Sequence, residues 1–535
     1  MRFPPCWDNE SVFKVRNQYS FFWKSTKTSS QLNGKERTGD VRIFKAASLA
    51  YLAAPQALDC LFRLKRKILI RSVQFFFLLQ ISSQDEAVLT PVCKYGYRGS
   101  LTAVCINATA NLFRETPYRF DHLDETLVCV TCNLSNITRG TFDINGNRIK
   151  ALVLENSNIK TIAVSAFTGL VFMEELHLTN NSIFHVDPGA FHGTRKVKQI
   201  FLDRALTGPL PDMVFQDLVL LRELYLNNND LKMLNKDTFY GLANLENLDL
   251  SNNKLSELNG SVANLGQLKF LTLSNNLLTM ITRTELTGLK SLVTLDLSMN
   301  SLYFFNINIG PPNSLRMLNL SRNMLGYSIL KEGQFNDLKN LENLDLSRNS
   351  LTSVFPKLFI GLFNLRELQL AENNITKFPL GVFSGLPSLK LINVSNNRIE
   401  SAIISGRQIL PQVHTIDFSY NALQEFDFVG FLRRLPSISK VWLSGNNLDC
   451  KESRRIEQYF KQENILYRLD FHIKCPALSQ SELKHVDGDL EKEFSRYGKS
   501  SSTLIALKVT LVILISVFVG VLFYVQFFIL NRKLK

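Results

Sequence analysis

The sequence predicts an α/β solenoid: a horseshoe of short coils with a parallel concave sheet, disulfide caps at both ends and one C-terminal membrane-spanning helix. Three observations predict it. A frame L-x-x-L-x-L-x-x-N-x-L returns every 23 or 24 residues through the middle of the 535-residue chain, and a period of that length calls for a solenoid before any other reading. Six of the eight cysteines bracket the repeats, with none between them. An apolar run near the C-terminus is long enough to cross a bilayer.

The frame is plainest from Leu245 onward, in LENLDLSNNKLSEL, LKFLTLSNNLLTMI and LVTLDLSMNSLYFF. Thirteen frames open at Ile149, Met173, Val197, Leu221, Leu245, Leu268, Leu292, Leu315, Leu341, Leu365, Leu389, Val413 and Ile438. A degenerate one is expected to start at Leu127. Within a frame, residues such as Leu248 and Leu250 alternate with polar neighbours, which predicts a short strand with one face inward. Strands of successive frames then pair in parallel at about 4.8 Å.

Two side-chain rows follow from the period. Asparagine stands three residues after the second strand leucine in eleven frames, from Asn181 to Asn446. A buried turn leaves backbone N–H and C=O groups unpaired, and an amide side chain satisfies both kinds. Ser157 and Ala205 interrupt this row, so looser turns are expected there. A second landmark, F-x-G-L or a near match, puts Phe167, Phe191, Phe215, Phe239, Phe359, Phe383 and Phe431 at one position, with Phe335 close to it. These predict an aromatic spine on the convex side. No coil buries its apolar face alone; stacking does that, and the ends need caps.

The net charge of +14 resembles a nucleic-acid or membrane signal until it is located. Residues 1–80 carry +9 and the last five residues +3, which leaves +2 for the rest. The repeat body is nearly neutral, so no nucleic-acid partner is expected. Cys93, Cys105, Cys129 and Cys132 precede the solenoid, and Cys450 and Cys475 follow it. An even set confined to the ends reads as disulfide-locked caps in an oxidising compartment. Cys129-Val-Thr-Cys132 is a CxxC, but no second CxxC or nearby His accompanies it, so no metal site is expected. If the frame at Leu127 holds, Cys129 and Cys132 point to opposite strand faces and pair with Cys93 and Cys105, in an order the sequence leaves open. Cys450 and Cys475 close one loop.

In chain order, residues 1–60 lack periodicity and read as unstructured or as a mispredicted extension. Residues 61–84 have a basic flank, an apolar run and small polar residues, the layout of a signal peptide or a signal anchor. Residues 85–148 form the N-terminal cysteine cap with its degenerate repeat. The thirteen repeats occupy 149–448. In the C-terminal cap, 449–476, KESRRIEQYFKQENI predicts an amphipathic helix. A polar stalk spans 477–502. In the apolar segment 503–530, residues 509–528 make a helix of about 30 Å, the thickness of a bilayer core. The tail, 531–535, is a basic stop. Sequons stand at Asn107, Asn133, Asn136, Asn180, Asn259, Asn319, Asn374 and Asn393, and these predict glycosylation.

The frame, the cysteine caps, the single membrane segment and the short tail together resemble animal cell-surface leucine-rich-repeat proteins. The likeness is greatest to insect members: Toll-like ectodomains, the chaoptin and tartan group, and transmembrane leucine-rich immune proteins. It covers residues 93–530. It implies a single-pass type I protein of the plasma membrane, with its repeats outside the cell. It also implies ligand recognition or adhesion, with an extracellular protein or another copy of the chain as partner and a second membrane protein as co-receptor. The C-terminal cap departs from the usual four cysteines by offering two. Only five residues follow the apolar segment, so no kinase or Toll/interleukin-receptor domain is expected.

One outward residue lies between the two strand leucines of each frame. The row begins Val153, His177, Phe201, Tyr225, Asp249 and ends at Trp442. His177, Phe201 and Tyr225 place three rings on consecutive strands, with Phe270 on the adjoining row, and exposed aromatics on a concave sheet are typical interface anchors. The alternative is plain cross-strand stacking. The Asp members of the row read as a solvated face. Sugars at Asn319 and Asn393 would obstruct the C-terminal half of the sheet, so the N-terminal half is the expected ligand surface. There is no H-E-x-x-H, G-x-S-x-G or phosphate loop and the seven histidines are scattered, so no catalytic residue, cofactor or enzymatic activity is expected. The competing reading is a homophilic or scaffold protein without a discrete ligand.

Overall fold

The computed structural model describes residues 92–94, 101–113 and 124–470, with gaps at 145, 308, 310–312, 328–329, 331–332, 356, 378–381, 384 and 402–408. The described residues all belong to one compact unit within 91–535. The expected segments at 1–60, 61–84, 477–502, 503–530 and 531–535 lie outside the described residues. Among the described residues, no helix is long and apolar enough to cross a membrane.

The predicted frames become a solenoid. Leu248 and Leu250 are fully buried while Asp249 between them is not, and this alternation recurs in frame after frame. Each frame contributes a three-residue strand, and neighbours pair in parallel and in register: Leu152 with Leu176, Leu176 with Ile200, Leu224 with Leu248. The strands join in one 17-stranded sheet, which fits the expected horseshoe. The frame leucines and their equivalents form one continuous core from Ala103 to Ile465.

The asparagine row works as expected. All eleven are buried. Asn253 Nδ2 donates to Leu226 O and Leu250 O at 3.0 Å, and its Oδ1 accepts from Leu231 N at 3.1 Å. Each amide thus ties its own coil to the preceding one. The expectation of looser turns where the row is broken is corrected. Leu134 N donates to Ser157 O at 2.9 Å, and Ile183 N to Ala205 O at 2.8 Å. A main-chain carbonyl takes the place of the missing side-chain oxygen, so the buried N–H stays satisfied.

The aromatic spine forms in two runs. Phe142, Phe167, Phe191, Phe215 and Phe239 stack at 5.6 to 6.2 Å. Phe335 and Phe359 stack at 6.3 Å, with Phe305 tilted against Phe335. Phe383 is buried, and the side chain of Phe431 lies outside the described residues. Aliphatic Val262 and Leu286 fill the core between the runs.

At the N-terminal end, the antiparallel strand Val92–Lys94 closes the sheet against Thr102–Ile106, which pairs in parallel with Thr126–Val130. Two expectations are corrected here. Leu127 lies opposite Leu152, so the degenerate frame opens at Asp124 rather than at Leu127. Cys129 then takes a strand-leucine place and Cys132 the asparagine place. Both are buried rather than on opposite faces. The bond joins Cys93 to Cys105, which face each other across the antiparallel pair; Cys129 and Cys132 are buried free thiols. Burial pushes the Cys129 thiol well above its ordinary range, and a hydrogen bond with Cys132 adds to it.

At the other end, the predicted helix spans Cys450–Gln462. Asp449 caps it by accepting from Glu452 N at 2.7 Å, and Ile456, Tyr459 and Phe460 are its buried face. Burial, with Glu463 second, pushes the Tyr459 phenol up to about 12. The strand Leu466–Arg468 then pairs with Lys440–Trp442, an element without frame leucines. Cys450 is disulfide-bonded; Cys475 lies outside the described residues.

Candidate functional site

The two ends of a three-residue strand and the residue two past it give each coil three places on the concave sheet: for the second frame, Glu175, His177 and Thr179. Parallel register turns these places into columns. In the middle column, His177 stacks on Phe201 at 4.3 Å and 15°, and Phe201 on Tyr225 at 4.8 Å and 5°. These spacings match the separation of paired strands. The expectation of exposed rings is corrected for two of the three. His177 and Phe201 are 6% and 8% exposed, because parallel register lays ring on ring and consumes the faces. Tyr225 is half-buried; its hydroxyl donates to Glu223 at 2.7 Å and accepts from Asn247 at 3.2 Å. Phe270 lies in the adjoining column and is 37% exposed. At the far end of the middle column, Arg468 covers the Trp442 ring at 4.8 Å, so that aromatic belongs to the C-terminal cap.

Acidic side chains surround the stack. His177 Nε2 lies 3.7 Å from a Glu175 oxygen and Nδ1 lies 4.0 Å from Glu155. Nε2 is buried and has no hydrogen-bond partner. Asp203 accepts from Thr179 Oγ1 at 2.7 Å, and Glu223 accepts from Gln199 at 3.0 Å. Over the twelve strands from Ala151–Val153 to Thr415–Asp417, the three columns hold nine carboxylates and no lysine or arginine. Arg204 meets Asp203 at 3.4 Å, and six cations stand one place before the strands, along the sheet's rim, and are paired there. Lys150 meets Glu125, Lys198 meets Glu174, Arg222 and Lys269 share Glu246, and Arg316 and Arg366 share Glu342.

The Asp members of the middle column do more than face water. Asp249 and Asp296 each accept the N–H of the serine two residues on, Ser251 and Ser298, at 2.9 Å. Asn319 and Asn393 accept from Ser321 and Ser395 in the same way. This pays for a strand-end N–H and explains the recurring L-D-L-S wording. Burial raises the carboxyl pKa of both Asp249 and Asp296 against the serine bonds that lower it, and like charges add to the rise: Asp203 and Asp296 at Asp249, Asp345 at Asp296. Among the described residues, no group of three His, Cys, Asp or Glu side chains is placed to hold a metal ion.

Of the sequon asparagines, Asn133, Asn136, Asn180 and Asn259 are exposed, while Asn107, Asn319, Asn374 and Asn393 are half-buried. Asn319 and Asn393 lie on the concave sheet as expected. Reading a single outward residue per coil missed Glu155, Glu175, Asp203 and Glu223, which flank the rings from the two adjoining columns. Reading residues two places to either side of the middle column would have found them.

A leucine-rich-repeat family model matches residues 147–205, 219–278, 329–373 and 339–399. The matched stretches lie within the stacked coils, whose sheet and asparagine row have the form of a leucine-rich-repeat solenoid. Solved structures with the same fold include the leucine-rich-repeat domain of APL1, at 20% identity and a TM-score of 0.55 over 70% of this chain and 96% of that one. The LRIM1/APL1C complex matches at 19% identity and 0.54, over 76% of this chain and 77% of that one. A leucine-rich-repeat protein of Leptospira interrogans matches at 24% identity and 0.52, over 65% and 90%. No curated protein sequence matches the chain significantly.

Proposed function

We propose that the chain is a cell-surface receptor or adhesion protein that binds a protein ligand on the N-terminal half of its concave sheet, around His177, Phe201, Tyr225 and Phe270. The observation that carries this is the joining of a ring stack to a set of carboxylates on adjacent strands, an aromatic centre with a charged surround of the kind interfaces use. The sequons at Asn319 and Asn393 support it, since sugars there would leave the N-terminal half the open one. Placement in the plasma membrane, as a single-pass type I protein, rests on the apolar segment 503–530 together with the sequons and the Cys93–Cys105 bond.

The test is binding of a candidate ligand to the full chain and its variants. Loss with Phe201→Ala plus Tyr225→Ala, and retention with Asp345→Ala, is expected. The reverse pattern moves the site to the C-terminal half and overturns the assignment. A second reading, self-association, is favoured by a flank of exposed apolar side chains: Leu277, Met299, Tyr303 and Met324 are 45–54% exposed on successive coils. Among proteins of this fold, LRIM1 and APL1C form a complex. Aggregation of cells that express the chain, lost with Leu277→Ser plus Met299→Ser, would establish that reading in place of a foreign ligand.

A further inference from the structure

We propose that the partner protein also docks over the rim beside the ring stack, on a ridge of Val171, Phe172, Arg195, Lys196, Val219 and Leu220, and presents there acidic side chains flanked by apolar ones. This rests on the N-terminal half of the concave sheet being the ligand face; it extends that face over the rim and gives the partner's chemistry.

The ridge breaks a structural pattern. The residue just before each frame's opening position lies in the loop that leads into the strand. In four frames a polar side chain there ties its coil to the one before. Asn244 Nδ2 donates to Val219 O at 2.7 Å, Asn340 to Asn313 O at 2.7 Å, Asn364 to Lys339 O at 3.0 Å and Ser437 Oγ to Pro411 O at 2.6 Å. Each accepting carbonyl stands two residues before the opening of the preceding frame. Ten of the thirteen frames carry Arg, Asn, Gln or Ser at this place. The exceptions are Phe172, Lys196 and Leu220, on consecutive coils, and they lead into the strands that bear His177, Phe201 and Tyr225. Phe172 and Leu220 are 42% and 47% exposed, and Val171 and Val219 beside them are exposed as well. Here the tying bond is forgone and contiguous apolar surface is left in water, next to the ring stack. The fold gains nothing from that exchange, whereas a docked partner does.

Charge names the partner. Arg195 and Lys196 are exposed between the two apolar pairs. Lys196 Nζ lies 4.4 Å from the centroid of the Phe172 ring. Neither cation forms a salt bridge among the described residues, and Glu174 and Asp217 are already held by Lys198 and His192. Two unpaired cations between apolar side chains attract carboxylates and repel a basic segment. Paired strands are about 4.8 Å apart, so Phe172 and Leu220 stand roughly 10 Å apart with the cations midway. Two turns of an α-helix rise by about that distance. A partner helix with apolar side chains a heptad apart and acids between them matches the ridge.

The probe is a fluorescein-labelled helical peptide with leucines a heptad apart and two glutamates between them, titrated against the purified full chain. Beside it run the same peptide with lysines for the glutamates and one with serines for the leucines, each expected to bind at least about tenfold more weakly. Arg195→Glu plus Lys196→Glu is expected to weaken the glutamate peptide about tenfold or more. Lys339→Glu plus Lys390→Glu makes the same charge change further along the solenoid and is expected to have an effect of less than about twofold. Phe172→Asn plus Leu220→Asn removes the apolar contact and restores the donors of the common pattern. It is expected to weaken binding about tenfold with the urea midpoint unchanged or raised. A lowered midpoint with binding intact would make these side chains structural and overturn the proposal. No binding of the glutamate peptide, equal binding of the lysine peptide, or equal losses from both charge reversals would overturn it too. The concave face is read separately, by loss of a protein ligand on Phe201→Ala plus Tyr225→Ala. With that loss and no effect at the ridge, only the ridge falls; without it, the ligand face itself is wrong.

Discussion

Asn300→Ala tests the buried amide row at its most regular point. The native Nδ2 donates to Leu273 O and Leu297 O at 3.0 Å and to Ser298 O at 3.2 Å, and Oδ1 accepts from Leu278 N at 3.1 Å. The alanine variant leaves the buried Leu278 N–H unpaired, which costs about 1–3 kcal/mol. Leu273 O keeps the amide of Asn276 and Leu297 O keeps that of Asn323. Each carbonyl therefore loses one of two donors, at roughly 0.5–1 kcal/mol apiece. The total is about 3 kcal/mol. Urea unfolding of the full chain reads it as a lowered midpoint at unchanged slope, and amide hydrogen exchange localises it as faster exchange at Leu278. Asn300→Asp keeps an acceptor for Leu278 N and should slow that exchange relative to alanine, while losing the donated bonds. A change under about 1 kcal/mol, with Leu278 protection intact, would refute the view that the amide row holds adjacent coils together.

Two further outcomes follow from the same geometry. Asp249→Asn plus Asp296→Asn should raise thermal stability at neutral pH, because asparagine keeps the serine bond and removes a buried charge that neighbouring carboxylates also repel. The native carboxyls have raised pKa values. Their contribution is therefore most favourable below the ordinary carboxyl range and is lost as pH rises through the folded values. The variant's advantage should vanish in acid, and a constant advantage at all pH values would contradict this cause. Cys129 and Cys132 should resist alkylation in the native chain and react on unfolding, since both are buried and Cys129 is held protonated. Peptide mapping after native iodoacetamide treatment checks this, and rapid labelling of either thiol would show that the cap is open.

The solenoid was legible because its determinants are local and repeated. A leucine at each strand place and an amide three residues later write strand and turn into every frame. What escaped depended on a neighbouring coil. The carbonyls of Ser157 and Ala205 substitute for an amide only through the coil stacked against them. The cap frame was misplaced by one landmark because cysteines stand where a leucine and an asparagine belong. Phe142 extends the spine without the F-x-G-L wording that marked its neighbours. At the candidate site the rings were visible, since they share one frame position. Their burial and the grip of Glu155 and Glu175 on His177 were not, because these come from register across two columns.

The most direct test of the central claim is a peptide-level mass map of the native chain taken from its own cells. The account predicts N-glycans on Asn319 and Asn393, an intact Cys93–Cys105 bond and an unmodified stretch from Glu175 to Tyr225. A chain free of sugar with Cys93 and Cys105 reduced would contradict display outside the cell, and with it the proposed ligand surface.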